Sequence, residues 1–262
     1  MKQKSYARKT ANENLIRAST ILLVLFIMAV FLGLYIAWMF SFRDSILLLS
    51  GIVIGVCFYY MVEKVLHKQF LPPWGKYKGF TQGAAGEEDV HDALVKNLGK
   101  GNLVVHDTVL EENIGNIDHI VIGQYGIFVI ETKAYHGRFV CFDDTWFRDW
   151  KIGERTEQMK LKYSPSKQAK SNAIHLKSFF RQYYPKLADE WIWAIVIFTN
   201  KQSETDRVEI KTKPNDCEIF DSIPKMIEEI KKGKNPINLT LSDLFKLEYI
   251  FKERAADIII TN

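Results

Sequence analysis

Apolar residues are concentrated in the first quarter of the chain, in two uncharged stretches that follow each other closely. The first comprises the 25 residues 18–42 and the second the 18 residues 45–62. As helices they would extend about 37 Å and about 27 Å, against a hydrocarbon core of about 30 Å. We therefore expect a transmembrane hairpin of two helices over 18–62. A cleaved signal peptide fits less well, because the first stretch is long and a second one follows it.

Basic residues flank this hairpin on its two outer sides. Five Lys or Arg lie in residues 1–17 and four in residues 63–82, whereas the short connection between the two stretches carries only Arg43. Lysine and arginine near the ends of membrane helices favour the cytoplasmic side. The pattern predicts a cell-membrane protein with a cytoplasmic basic N-terminus (1–17), a juxtamembrane linker (63–82) and a domain on the same side.

From residue 83 onward, the hydrophobic periodicity alternates between that of helices and that of strands. Helical spacing predicts helices over 87–98, 166–184, 222–232 and 241–253, and apolar runs predict strands over 103–110, 117–122, 127–133, 140–142 and 191–200. A last apolar run, IIIT, ends the chain. This order indicates an α/β sandwich around a mixed β-sheet, with a core over 83–200 and a C-terminal α/β extension over 201–262.

Composition changes the picture only when the chain is divided. The whole chain is 47% hydrophobic and has a net charge of +4. Residues 1–82 carry ten basic and three acidic residues, a net charge of +7, so residues 83–262 have a net charge of −3. Any nucleic-acid surface of the domain must therefore be a local patch. Cys57, Cys141 and Cys217 are isolated from one another, so we expect a reducing compartment and neither disulfides nor thiolate metal sites.

Two acidic residues occur within the apolar strands around the loop 123–126. If this loop closes an antiparallel hairpin, Asp118 lies directly opposite Glu131, and Lys133 shares the face of Glu131. Facing carboxylates repel each other, and a divalent cation between them removes the repulsion. A salt bridge between Asp118 and Lys133 without metal is the structural alternative.

A third acidic residue is predicted to face the same region. Glu87 lies on the inward stripe of the first helix, three residues before Val90, whereas Glu88 falls outside that stripe. Three carboxylates favour Mg²⁺ or Mn²⁺. Lys133 would then hold or activate the attacking water and offset charge on the phosphate, which is the chemistry of metal-assisted phosphodiester hydrolysis.

Three segments resemble the signature blocks of the nuclease-related domain, NERD, a member of the PD-(D/E)xK nuclease superfamily. They are GAAGEEDV (83–90), GNIDHIVIGQYGIFVIETKAYHGRF (115–139) and KQAKSNAIHL (167–176), in the order of the family. The resemblance implies a restriction-endonuclease-like fold with a divalent-metal site.

Carried over to this sequence, the resemblance assigns a role to each matching residue. It implies that Glu87, Asp118 and Glu131 are metal ligands and that Lys133 is the catalytic lysine. Gln168 is similar to the helix glutamine that supports the site in the branch related to the RecB helicase-nuclease. Ile117 stands where the superfamily motif has its proline, a departure that NERD proteins commonly share.

Together these features predict a membrane-anchored, metal-dependent nuclease that processes nucleic acid, DNA rather than RNA, at the cytoplasmic face. A non-catalytic module that tethers nucleic acid or protein to the membrane is the alternative. In a third hypothesis, the hairpin is structural and the site serves only stability.

Several nearby polar residues have less definite predicted roles. His119 alternates with Asp118 and should point to the opposite face of the sheet. His106 and Asp107 lie on the preceding strand, and Asn172 shares a helical face with Gln168, where it either lines the cleft or packs. Residues 135–138 either contact phosphates or form a simple turn.

Overall fold

The computed structural model describes residues 83–111, 115–152, 155–199, 207–233 and 235–261, without the side chains of 150–152. All of these residues belong to one compact unit. The predicted hairpin (18–62) and the segments on either side of it lie outside the described residues. Within the described ranges, no helix combines the length and apolar character needed to cross a membrane.

The elements are named here in chain order. They are α1 (83–97), β1 (Asn102–Thr108), β2 (Ile117–Gly123), β3 (Gly126–Lys133), β4 (Arg138–Phe142), β5 (Thr145–Ile152), β6 (Arg155–Lys160), α2 (Pro165–Tyr183), a 3-10 turn (Pro185–Leu187), β7 (Ile192–Phe198), β8 (Arg207–Thr212), β9 (Cys217–Phe220), α3 (Ile223–Lys231), α4 (Leu241–Phe251) and β10 (Ala255–Ile260).

The strands form two sheets. The larger sheet has six strands in the order β10-β1-β2-β3-β7-β9. Its strands are antiparallel from β10 to β3 and parallel from β3 to β9. The predicted α/β fold with a mixed sheet is therefore confirmed. The smaller sheet, in the order β6-β5-β4-β8, is an addition that the sequence pattern did not predict.

Helices cover both faces of the six-stranded sheet. Apolar residues of α2 and α4 pack with Ile120 and Ile122 of β2 on one face, whereas α1 and α3 pack with Val121 on the other. This alternation follows from the two-residue period of a strand, which sends successive side chains to opposite faces. Side chains near the end of β2 can therefore meet either α1 or α2.

The start of α1 lies very close to the ends of two central strands. A Cβ atom on Gly86 would lie 2.4 Å from Thr199 Oγ1 and 3.3 Å from the Cβ of Ala134. Thr199 follows β7 and Ala134 follows β3. Only glycine permits this approach, which places the next residue, Glu87, at the ends of the strands.

The start of α2 is fixed by buried hydrogen bonds. Ser164 caps the helix by accepting a hydrogen bond from the backbone N–H of Lys167. Ser166, which is fully buried, accepts a hydrogen bond from Trp146 Nε1 at 3.0 Å and donates one to Asp144 Oδ1 at 2.7 Å. These bonds tie α2 to β5 and to the turn between β4 and β5.

We expect Ser166→Ala to destabilise the domain by about 1–3 kcal/mol, because the buried N–H of Trp146 loses its acceptor. The melting temperature of the full chain, followed by near-ultraviolet circular dichroism, should fall by several degrees. Ser171→Ala, at an exposed position of α2, is the matched control and should change stability by less than about 0.5 kcal/mol. Equal melting temperatures for the two variants would contradict this role of Ser166.

Candidate active site

The hairpin of β2 and β3 has the register that the sequence predicts. Ile122 pairs with Ile127 and His119 with Ile130, so the next position along the strands places Asp118 opposite Glu131. Both carboxylates are buried, with 5% and 1% of their surface exposed. The strands thus hold two acidic side chains on one face, at the end of the hairpin away from its turn.

Lys133 and Asp118 have different partners in this pair of strands. Lys133 Nζ donates a hydrogen bond to Glu131 Oε1 and forms an ion pair with it. Asp118 Oδ2 instead accepts a hydrogen bond from the backbone N–H of Thr132 at 2.7 Å. The lysine therefore pairs with Glu131, and not with Asp118 as in the metal-free alternative.

Helix α2 supplies two amide side chains to the same site. Gln168 Oε1 accepts a hydrogen bond from Lys133 Nζ at 3.3 Å, and Asn172 Nδ2 donates one to Glu131 Oε2 at 3.3 Å. The predicted glutamine thus contacts the predicted lysine. Asn172 lines the cleft and holds the second oxygen of the carboxylate.

Glu87 reaches the site from α1. It lies on the buried stripe of this helix, 9% exposed, whereas Glu88 is exposed. Glu87 Oε2 is buried and accepts no hydrogen bond from any described residue. A buried carboxylate oxygen is costly without a partner, so its environment suits a bound cation.

Burial and mutual repulsion disfavour the charged forms of these acids. Burial and the neighbouring Asp118 raise the pKa of both Glu87 and Glu131 to about 8. Burial raises the pKa of Asp118 to about 6, although Lys133 and the Thr132 N–H oppose this effect. The pKa of Lys133 is raised despite its burial, because Glu131 and Asp118 stabilise its charge. The residues fit a divalent cation, which would favour the ionised carboxylates.

A fourth acidic residue, Asp107, belongs to this charge cluster. His106 pairs with His119 and Thr108 with Ile117, so Asp107 lies between these two pairs, near Asp118. Its charge contributes to the raised pKa of both Glu87 and Asp118. The sequence predicted that Asp107 lies on the strand before β2, near the site, but no residue spacing linked it to the carboxylates. The register between β1 and β2 would have been needed to make that link.

Parts of the chain are similar to known proteins. A nuclease-related domain, NERD, matches residues 82–199. The chain is also 38% identical over 73 residues to an uncharacterized protein of Bacillus anthracis, an alignment that covers 27% of this chain and 31% of that protein. The chain thus spans about a third of this curated relative. No solved structure shows significant similarity to the chain.

The region 82–199 that matches the NERD model contains every residue that the sequence assigned to the site. Glu87 comes from α1, Asp118 from β2, Glu131 and Lys133 from β3, and Gln168 from α2. The contacts between Lys133, Glu131 and Gln168 are direct, whereas Glu87 and Asp118 join them through electrostatic coupling.

Two further predictions around the candidate site have clear outcomes. His119 points to the opposite face of the sheet, where its ring stacks on that of His106 with centroids 5.0 Å apart. Arg138, one of the predicted phosphate contacts, forms ion pairs with Asp149 and Glu209. Its charge is therefore partly neutralised within the domain. Tyr135 lies closer to the site, with its ring centroid 5.9 Å from Lys133 Nζ.

Proposed function

We propose that the chain is a membrane-anchored, metal-dependent nuclease that hydrolyses phosphodiester bonds of nucleic acid, DNA rather than RNA, at the cytoplasmic face. The observation that carries this proposal is that Asp118, Glu131 and Lys133 lie together at the ends of β2 and β3, with Gln168 of α2 in contact with the lysine. Glu87 of α1 is buried near enough for Asp118 to raise its pKa. The mixed sheet and the match to a nuclease-related domain support a restriction-endonuclease-like core.

Glu87, Asp118 and Glu131 are the residues that would hold Mg²⁺ or Mn²⁺. Their oxygen ligands suit these hard cations, and the unpartnered Oε2 of Glu87 offers a buried ligand atom. When bound, the cation supplies charge compensation for the phosphate and favours deprotonation of water. Asn172 orients Glu131 through its hydrogen bond to Oε2.

Lys133 is the residue that would contact the reacting phosphate. An ammonium group has three N–H donors, and Glu131 and Gln168 accept from two of them. The third donor is left for a phosphate oxygen or for the attacking water, and the positive charge offsets the negative charge that develops in the transition state. Gln168 is a positioning residue, because it holds the ammonium beside the carboxylates.

The apolar stretches 18–42 and 45–62 support the membrane anchor, and the excess of Lys and Arg outside the hairpin supports the cytoplasmic orientation. The net charge of −3 over residues 83–262 limits long-range attraction of nucleic acid. The basic segments on either side of the hairpin have a net charge of +7. Their attraction for nucleic acid would compensate for the negative charge of the domain.

The proposal is tested with the full chain purified in detergent and supplied with Mg²⁺ or Mn²⁺. Linear duplex DNA, circular DNA, single-stranded DNA and RNA are compared as substrates, with EDTA as the metal-free control. We expect cleavage that depends on the metal and is faster for DNA. Binding that persists in EDTA, without cleavage of any substrate in either metal, would instead identify the non-catalytic tethering module.

A further inference from the structure

A second polar cluster lies on the face of the six-stranded sheet that packs against α1. His106 of β1 pairs with His119 of β2 on one side and with Asp257 of β10 on the other, so these three residues form a row across neighbouring strands. His91 of α1 covers the row, with its ring centroid 4.8 Å from that of His106 and 6.4 Å from that of His119.

The cluster is buried, and its side chains are ones that bind metals. His91, His106 and His119 are 5%, 8% and 0% exposed. Imidazole nitrogens are among the commonest metal ligands in proteins. One nitrogen from each of the three rings lies within 4.8 Å of the others.

Two distances in the cluster match those of a four-coordinate metal site. His106 Nδ1 lies 3.3 Å from His119 Nδ1, and His91 Nε2 lies 3.4 Å from Asp257 Oδ2. With metal–ligand bonds of about 2.0–2.1 Å, the ligands of a tetrahedral zinc ion are about 3.3–3.4 Å apart. Modest rotations of the side chains would bring these two pairs around one ion.

One ring nitrogen of His119 lacks a hydrogen-bonding partner among the described residues. His119 Nε2 is buried and makes no hydrogen bond to any described residue. Buried polar atoms in native proteins are nearly always satisfied, and an exception points to a bound water or ion. His119 can therefore offer either ring nitrogen to a cation, Nδ1 beside His106 or the unpartnered Nε2.

We propose that His91, His106, His119 and Asp257 form a structural Zn²⁺ site, separate from the carboxylate site. Imidazole nitrogens favour zinc over Mg²⁺, whose preferred ligands are oxygens in an octahedral arrangement. Four protein ligands leave no open position, which is typical of a structural zinc ion.

The zinc ion would connect elements that also build the candidate active site. Glu87 precedes His91 by one helical turn on α1, and Asp118 directly precedes His119 on β2. Zinc would therefore hold α1 against β1, β2 and β10 and fix the backbone on which two of the acidic residues stand.

The test measures how much zinc the full chain binds. The protein is purified in detergent, stripped of metal and incubated with Zn²⁺. Unbound zinc is then removed by gel filtration in excess Mg²⁺. We expect about one Zn²⁺ per chain by elemental analysis, together with a higher melting temperature. His91→Asn and His119→Gln should lose the zinc. His175→Asn, on α2 outside the cluster, and Asp118→Asn, in the carboxylate site, should retain it.

Cobalt substitution of the wild-type chain provides a measurement that does not depend on the folding of variants. Co²⁺ in this site should give the intense visible absorption of tetrahedral coordination. A wild-type chain that binds no zinc, a weak octahedral cobalt spectrum, or equal zinc content in wild type and the His91 and His119 variants would overturn the proposal. Loss of zinc in Asp118→Asn would show that the metal is in the carboxylate site. A chain that retains zinc but cleaves no nucleic acid would support the zinc site and contradict the nuclease proposal.

Discussion

Lys133→Ala is expected to lower the rate of metal-dependent DNA cleavage by roughly 10²–10³-fold. The ammonium is the positive protein charge placed among the buried carboxylates, and removing one preorganised donor to a transition state typically costs this much in kcat. Single-turnover cleavage by the full chain measures the chemical step directly. The affinity for DNA, measured in the presence of Ca²⁺, should change far less, because Lys133 makes a single contact.

The matched control for this prediction is Lys225→Ala, which removes the same charge from an exposed position of α3. This helix packs on the opposite face of the six-stranded sheet from α2, so cleavage by the control should equal that of the wild type. Equal rates for Lys133→Ala and wild type would exclude a catalytic role for the lysine.

The stability of the metal-free domain is expected to fall as the pH rises from about 4.5 to about 8. Over this interval, Glu87 and Glu131 retain protons in the folded state, where their pKa is raised to about 8, while the unfolded chain has already released them. Stability is therefore fully present below the unfolded pKa and is lost as the pH approaches the folded pKa. We expect the melting temperature in EDTA to fall by roughly 5–15 °C.

Millimolar Mg²⁺ or Mn²⁺ should restore much of this stability at pH 8, because the cation binds the ionised carboxylates of the folded state. Glu131→Gln keeps the shape of the side chain but does not ionise, so its melting temperature should depend less on pH and respond less to metal. A wild-type melting temperature that rises between pH 5 and pH 8 in EDTA would contradict the raised pKa values.

Much of the candidate site could be predicted from sequence because its residues lie in strongly periodic elements. The two-residue period of the strands and the short loop 123–126 determine the register that places Asp118 opposite Glu131. Likewise, the helical stripe that continues through Val90 and Leu94 determines the inward position of Glu87.

Other parts of the domain leave little pattern in the sequence. All residues of β6 are exposed, so no apolar alternation marks this strand, and β8 is similarly exposed for most of its length. The histidine cluster depends on pairing between β1 and β10, whose paired residues are more than 140 positions apart. Such long-range pairings are not encoded in local spacing. Asp107 and Asp118 lie on consecutive strands, but the connection between β1 and β2 is longer than the loop 123–126 and does not determine their register from the sequence.

The most direct test compares Mn²⁺-dependent cleavage of linear duplex DNA by the wild-type chain and by Asp118→Asn. This variant replaces the predicted ligand by a neutral side chain of the same shape, and a melting curve establishes that it is folded. We predict that the wild type cleaves DNA in Mn²⁺ but not in EDTA, and that the variant is at least about a hundredfold slower. Equal cleavage by the two proteins, or cleavage by the wild type that is undiminished in EDTA, would contradict a metal-dependent nuclease site at these carboxylates.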